Sequence, residues 1–240
     1  MDRLLVSDLD YTLLGDDRAL EQFASWYEAR RSALRLVYAS SRFYESVVES
    51  IRSTALPEPA AVIADLGTDI RWYVTGAAVA GWREQLNRSW DSLRVRAALA
   101  RFSMLELQPE PFQSEFKVSY FAHSASDQLL RAICGALREA NLLADPIYSS
   151  NRDLDVVPRG ANKGTAAAFL ARYWRLSDER VLVCGDSAND LAMFQQSFRG
   201  IVVANAHPEL KALTGQHVFV SQFAYADGVL DGVQHWIGDS

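Results

Sequence analysis

Cysteine is almost missing from this chain of 240 residues. There are two, Cys134 and Cys184, fifty positions apart. That excludes a disulfide framework and a thiolate metal pattern, and it points to a reducing compartment, the cytoplasm. Lysine is as scarce: Lys117, Lys163 and Lys211 stand among 24 basic residues, and the rest are arginine. Thirty acids outnumber those bases, for a net charge of −6 and a pI of about 5.3. No basic field exists to attract nucleic acid, and no polybasic stripe to hold an anionic membrane. No uninterrupted apolar run approaches the roughly 18 residues of a membrane span. The opening MDRLLVSDLD places acids where a secretion leader carries bases, so none is expected. Internal repeats and low-complexity stretches are also lacking.

What is present suits a packed interior. Hydrophobic residues make up 49% and charged residues 22%, and a chain this long buries roughly 70–75% of its unfolded surface. Leu4-Leu5-Val6, Leu34–Ala39 and Ala61–Ala64 read as buried parallel strands. Between them fall amphipathic helices, one with Leu20, Phe23 and Tyr27 on one face and Asp16 or Asp17 as cap, the next marked by Phe43, Val47 and Ile51. This alternation predicts a doubly wound α/β sheet. The rhythm then changes. Trp82, Leu86, Trp90, Leu93 and Ala97 predict one long helix, and Phe102–Leu107 and Phe116–Phe121 predict strands. A helix with Leu129, Ile133 and Leu137 follows, with Ser124 and Asp127 as a capping box, and Ile147–Ser149 is a further strand. This α+β order predicts an inserted domain over residues 77–152, with core domain 1–76 and 153–240 on either side. Gly76 fits a hinge. After the insertion, Asn162 can cap a helix, Val181–Cys184 and Gly200–Val203 are strands, and Pro208 opens a short helix. Val218–Val220 is a last strand, before a helix near Val229–Trp236.

Ligands of an open α/β sheet bind outside the carboxyl ends of its strands. Here those ends read Asp8-Leu9-Asp10-Tyr11-Thr12, Ser40-Ser41-Arg42 and Gly185-Asp186-Ser187-Ala188-Asn189-Asp190, and Asn162-Lys163-Gly164 opens a helix. Four carboxylates at one edge are costly unless a cation offsets them. Such oxygen ligands suit Mg2+, which takes one or two carboxylates and a substrate phosphate. Hydroxyls, amides and a lysine are what a phosphate needs.

These four motifs, in this order, resemble those of the haloacid dehalogenase superfamily of phosphatases (HAD-like core), over the whole core domain. The insertion lies between the second and third motifs, where larger α/β caps of that superfamily sit. The cap, Asn151–Pro158 and Asn205-Ala206-His207-Pro208-Glu209-Leu210 are most similar to sucrose-phosphate phosphatases. The resemblance implies Asp8 as nucleophile and Asp10 as general acid and then base. It implies Asp8, Asp186 and the Asp10 carbonyl as Mg2+ ligands, and Lys163 and Ser40 on the phosphoryl oxygens, with Asp190 fixing Lys163 and a metal water. Ser41, Arg42 and Asn189 join the substrate site, and Lys117, Asn151, Arg152 and Asp153 of the cap are placed to read the sugar. A monomer is implied, with docking on a sucrose-phosphate synthase left open. The implied reaction is hydrolysis of sucrose 6-phosphate, the final step of sucrose synthesis. The alternatives are another glycosyl phosphate such as mannosylfructose phosphate, a phosphomannomutase-like phosphotransferase, or a non-catalytic partner of the synthase.

Plainer roles compete for each residue. Acids at strand ends also cap helices, so Asp186 or Asn189 could serve the helix at Leu191. Asp153 and Asp155 could form a solvated edge, and Lys117 could simply be exposed. Trp82 and Trp90 suit a cap interior, and the four histidines show no ligand spacing. Two departures from the family pattern stand out. Ser41 replaces a usual glycine, and Asn151-Arg152 replaces a usual Gly-Lys beside the sugar.

Overall fold

A computed structural model describes residues 3–88 and 90–238. The chain divides into two compact units, residues up to Val79 joined by those from Asn162, and Ala80–Ala161. In chain order the first unit opens with β1 (Arg3–Ser7), α1 (Asp17–Glu28), β2 (Leu34–Ala39), α2 (Tyr44–Ser53), β3 (Ala61–Ala64) and β4 (Asp69–Trp72). The second unit holds α3 (Trp82–Asn87), α4 (Ser92–Leu99), β5 (Glu106–Leu107), β6 (Val118–Phe121), α5 (Asp127–Glu139), β7 (Ala144–Ser149) and β8 (Asp153–Pro158). The first unit resumes with α6 (Lys163–Tyr173), β9 (Val181–Gly185), α7 (Leu191–Phe194), β10 (Arg199–Val202), α8 (Pro208–Lys211), β11 (Val218–Val220) and α9 (Tyr225–Ile237).

The first unit is built on a seven-stranded sheet in the order β11-β10-β9-β1-β2-β3-β4. All neighbours run parallel except β4, which returns antiparallel to β3. The inner strands are apolar without alternation, Leu4 to Val6 and Val181 to Cys184 among them, because helices cover both faces. Each such side chain removed from water contributes about 1.5–3 kcal/mol. The chain leaves β1 toward β2 and β3 and comes back to β9 on the other side of β1. The strand order therefore reverses between β1 and β9, where such sheets bind ligands. Ser7 pairs with Cys184 across that boundary, so the residues that follow each strand emerge side by side.

The second unit has its own four-stranded antiparallel sheet, β5-β6-β8-β7. Its residues alternate. Val118, Tyr120, Leu154 and Val156 pack with Val95 and Leu99 of α4 and Ile133 and Leu137 of α5, while Ser119 faces Asp155 and Phe121 faces Asp153 in the register of the opposite side.

Several local expectations change. The long helix at 82–97 is two helices, because Asp91 caps a new start by accepting from the Arg94 N–H. The strand expected over 102–107 is limited to Glu106–Leu107. Helix α5 is capped by Ser126, which accepts from the Leu129 N–H, and Ser124 instead sits at φ 51°. The second boundary expected at 152/153 lies at 161/162, since Asp153–Pro158 pairs into the second sheet on both sides. Gly76 closes a turn, its N–H donating to the Trp72 carbonyl, three residues before the first boundary. Strand β4, which the sequence reading lacks, is a short edge strand. Among the described residues no helix is long and apolar enough to cross a membrane.

Candidate active site

Asp8 is the first residue past β1. Its N–H donates to the Cys184 carbonyl at 3.0 Å, which ties the end of β1 to β9. The chain then turns tightly, with Thr12, Leu13 and Leu14 all donating to the Leu9 carbonyl, and Tyr11 takes the left-handed conformation at φ 62°. Asn205 clamps this turn. Its Nδ2 donates to the Tyr11 carbonyl at 2.6 Å, and its Oδ1 accepts from the Tyr225 N–H at 2.9 Å. The turn separates the two acids. Asp8 is buried, whereas the Asp10 side chain is 49% exposed and lies 3.0 Å from Arg42 Nε.

Lys163 comes from the other side of the chain's insertion. Asn162 caps α6 in a box with Thr165, so Lys163 is the first helical residue and its position is set by the cap. Gly164 lets the helix start lie close to α7: a methyl there would fall 1.9 Å from the Ala192 carbonyl oxygen. The Lys163 ammonium is almost wholly buried, and its three donors have three acceptors. These are Asp8 Oδ1 at 2.6 Å, Asp190 Oδ1 at 2.7 Å and Asn189 Oδ1 at 3.1 Å. The other oxygen of Asp190 accepts from the N–H groups of Asp186 and Ser187 at 3.0 and 3.2 Å. Ser187 and Asp190 together cap this turn, so neither Asp186 nor Asn189 does the capping. The Asp186 carbonyl accepts from the His207 N–H at 2.7 Å.

Oxygens of Asp8, Asp186 and Asp190 lie within 4.8 Å of one another. Burial pushes Asp8 up to about 7, against the lowering effect of the Lys163 charge. Asp186 is raised by burial and then by the charge of Asp8. For Lys163 burial alone would lower the ammonium, but the charges of Asp190 and Asp8 together outweigh it and raise it, so the cation is retained. Three carboxylates thus share one ammonium. Asp190 is committed on both oxygens, while Asp8 and Asp186 face one another with the deficit of positive charge. That donor set is one a divalent cation with oxygen ligands fits.

The second motif ends β2. Ser40 is buried, its N–H donates to the Ile63 carbonyl, and its Oγ accepts from the Arg42 N–H at 3.1 Å. Ser41 is exposed at the tip of this bend. Arg42 points back to Asp10 and also donates from Nη1 to Ser50 Oγ of α2 at 2.9 Å.

The structure therefore brings Asp8, Asp10, Ser40, Arg42, Lys163, Asp186, Asn189 and Asp190 to one edge of the first unit. Lys117, Asn151, Arg152 and Asp153 belong to the second unit. Lys117 is buried there, contrary to an exposed position. Ser150 and Asn151 take successive left-handed conformations in the β7–β8 hairpin, a backbone role asparagine favours. Arg152 and Asp153 form an ion pair at 2.9 Å, and Gln108 Nε2 donates to Asp153 at 2.9 Å. Ser119 Oγ donates to Asp155 at 2.5 Å on the same sheet face. Ser119 and Asp155, which alternation along β6 and β8 places on this face, join the polar group, and Gln108, just past β5, extends it with no signal in the strand pattern. Asn205 was also missed as a clamp. An asparagine after a strand is its only local mark.

Residues 1–237 match the family model described as sucrose-6F-phosphate phosphohydrolase. The chain is 35% identical over 239 residues to the mannosylfructose-phosphate phosphatase of Agrobacterium fabrum, covering 98% of this chain and 96% of that protein. It is 30% identical over 249 residues to probable sucrose-phosphatase 2 of Arabidopsis thaliana, covering 97% of this chain but 59% of the plant protein. The chain thus spans little more than half the length of that relative. Among solved structures it is similar to the sucrose-phosphatase of Synechocystis sp. PCC6803 in complex with sucrose and phosphate, at a TM-score of 0.88 and 30% identity over 98% of each chain.

Proposed function

The chain belongs to the sucrose-6F-phosphate phosphohydrolase family, a group of haloacid dehalogenase-like phosphatases, and from that premise we propose that it hydrolyses the phosphate ester of a fructose-containing disaccharide. Sucrose 6-phosphate is the first reading. Mannosylfructose phosphate is the second, favoured by the 35% identity to the Agrobacterium protein along nearly the full length of both chains. The observation that carries the chemistry is the buried Lys163 held between Asp8 and Asp190, with Asp186 beside them.

In this reading the Asp8 carboxylate attacks phosphorus and the sugar oxygen leaves, taking a proton from Asp10. The resulting aspartyl phosphate is opened by water, which gives a proton to Asp10, and Asp8 is regenerated as phosphate departs. Ser40 holds a phosphoryl oxygen, and the Lys163 donor that rests on Asp8 passes to another as Asp8 is phosphorylated, while Asp190 and Asn189 keep Lys163 in place. Asp8 and Asp186 would hold Mg2+, with the Asp10 carbonyl, and the ion would supply positive charge against the phosphoryl oxygens. The raised Asp8 supports this, since a nucleophile must be ionised and its burial works against that even beside the Lys163 ammonium. Arg152, Asp153, Lys117 and Asn151 are proposed to read the sugar, because a core that recognises phosphate is blind to the alcohol it leaves with. Docking on a sucrose-phosphate synthase would be an addition to this activity.

The test is a panel of phosphate esters assayed for phosphate release with Mg2+: sucrose 6-phosphate, mannosylfructose phosphate, glucose 6-phosphate and p-nitrophenyl phosphate. A kcat/KM at least tenfold higher for one of the disaccharide esters is expected. Equal rates across the sugars would overturn the disaccharide reading, and full activity after exhaustive chelation would overturn the metal.

A further inference from the structure

A half-exposed carboxylate on a turn is free to sample rotamers, yet a proton donor must meet the leaving oxygen in one geometry. Something has to restrict Asp10. The described residues place Arg42 against it, with Nε 3.0 Å from Asp10 Oδ2. We propose that Arg42 is a positioning residue for Asp10, holding the acid at the leaving oxygen, and that it is not a ligand of the phosphoryl group.

Arg42 is itself fixed at several points. Its N–H donates to Ser40 Oγ at 3.1 Å, and its carbonyl accepts from the Asp65 N–H at 2.8 Å. Its Nη1 donates to Ser50 Oγ at 2.9 Å, which anchors the guanidinium to helix α2. Asp65 is buried and Thr68 Oγ1 donates to its Oδ2 at 3.1 Å. The residues from Asp65 to Gly67 all hold positive φ, so the support under Arg42 is a tightly determined loop.

The same contacts weigh against the phosphate reading. Arginine grips a phosphate through two parallel N–H groups on one edge of the guanidinium. One edge is formed by Nε and Nη2, the other by Nη1 and Nη2. Nη1 is given to Ser50, and the Nε–Nη2 edge, neither of whose nitrogens makes a hydrogen bond among the described residues, already lies against the Asp10 carboxylate at Nε. The contact with Asp10 is also of a suitable kind. Nε makes no aligned hydrogen bond, so the pair is a charge contact that a small motion of Asp10 can leave and rejoin. A donor that gives its proton in one step and takes one back in the next needs such a tether.

The inference rests on Asp10 as the acid for the sugar, and one set of variants separates the two claims. Rapid mixing with Mg2+ follows the first turnover of two substrates, the best disaccharide phosphate of the panel and p-nitrophenyl phosphate, whose leaving group needs no acid. Asp10→Asn should lose the first turnover on the sugar ester and keep a burst of p-nitrophenolate. If it does not, the reading of Asp10 itself is wrong. Arg42→Ala should follow the same pattern, with kcat on the sugar ester down about 100-fold, KM changed less than about threefold, and the burst retained. Arg42→Lys should recover part of the loss. Ser50→Ala, which touches only the far end of the guanidinium, should lower kcat on the sugar ester several-fold with KM unchanged, and it serves if Arg42→Ala does not fold. Should Asp10→Asn show the split while Arg42→Ala and Arg42→Lys raise KM alike for both substrates and abolish the burst, Arg42 binds phosphate and the inference fails. It fails equally if Arg42→Lys and Ser50→Ala leave the sugar ester untouched.

Discussion

The edge of the first sheet and the polar face of the second are both built of acids, amides and a few cations, but they are held in opposite ways. At the first, Asp8, Lys163 and Asp190 are all buried, and every donor on the ammonium has its acceptor. At the second, Arg152 is more than half exposed and its bond to Asp153 joins adjacent residues on one strand end. Low dielectric makes each charge at the first site count heavily and makes any unpaired one costly. At the second, Ser119, Gln108 and Lys117 are buried too, but the Arg152 guanidinium reaches water, which screens its pair with Asp153. A fixed reaction and an adjustable choice of alcohol would divide in this way.

The largest effect that sharpens the contrast is expected at Asp8. Asp8→Asn keeps the shape of the side chain but cannot form the acyl phosphate, so turnover should fall at least about 10⁴-fold while the far-UV spectrum is unchanged. Retained turnover above about one part in a hundred would assign the nucleophile elsewhere. Lys163→Met comes next. It leaves Asp8 and Asp190 buried without their cation, and removing one partner of a buried pair costs about 3–5 kcal/mol. Denaturant unfolding should show a loss of that size at pH 8 and a smaller one at pH 5, where the acids can take up protons. An equal loss at both values would mean that packing alone supports the site.

A third, smaller effect concerns pH in metal-free protein. The folded pKa of Asp8 is raised from 3.8 to about 7, so the fold binds its proton more tightly than the unfolded chain does. Its contribution to stability is therefore greatest at low pH and is lost as pH rises from about 4 to about 7, with a slope of at most about 1.4 kcal/mol per unit. Asp186 is raised too and acts in the same direction. Lys163 is raised above 10.5 and stays constant over that range. The difference in unfolding free energy between the chain and Asp8→Asn should carry this slope, and saturating Mg2+ should flatten it. A difference independent of pH would show that Asp8 is ionised in the fold without the ion.

The contrast also explains what could be read from the sequence. The first site was legible because each strand ends in a run of polar residues after an uninterrupted apolar run, and because a lone lysine follows a capping asparagine. Burial there is obligatory, so the pattern is coarse and strong. The Arg42–Asp10 contact was not legible, since residues 32 apart meet only once β1 and β2 are placed in register. Asn205 reaches Tyr11 across 194 positions and leaves even less trace. In the second unit the break at Asp91 was hidden by apolar residues that continue a helical spacing through it. The polar face was half legible: alternation along Phe116–Phe121 separates Lys117 and Ser119 from the core, but the pairing of Ser119 with Asp155 depends on the strand register.

The smallest expected effect is at Asp153, and it is the one that could collapse the comparison. Its carboxylate is shared by Gln108 and by Arg152, whose guanidinium lies over the Phe121 ring and is more than half exposed. Ion pairs this exposed contribute about 0–1 kcal/mol, so Asp153→Ala should leave the melting temperature within a few degrees. If the face reads the sugar, kcat/KM on the disaccharide phosphate should drop about tenfold or more, because hydroxyls that met matched groups then lose them. Hydrolysis of p-nitrophenyl phosphate, which offers no hydroxyls, should change less than about twofold. Buried Lys117, carried to alanine, is expected to show the same split with a larger loss of stability. Equal losses on both substrates would give the second face a part in the chemistry or in holding phosphate. The division of the molecule into one region for the reaction and another for the alcohol would then have to be abandoned.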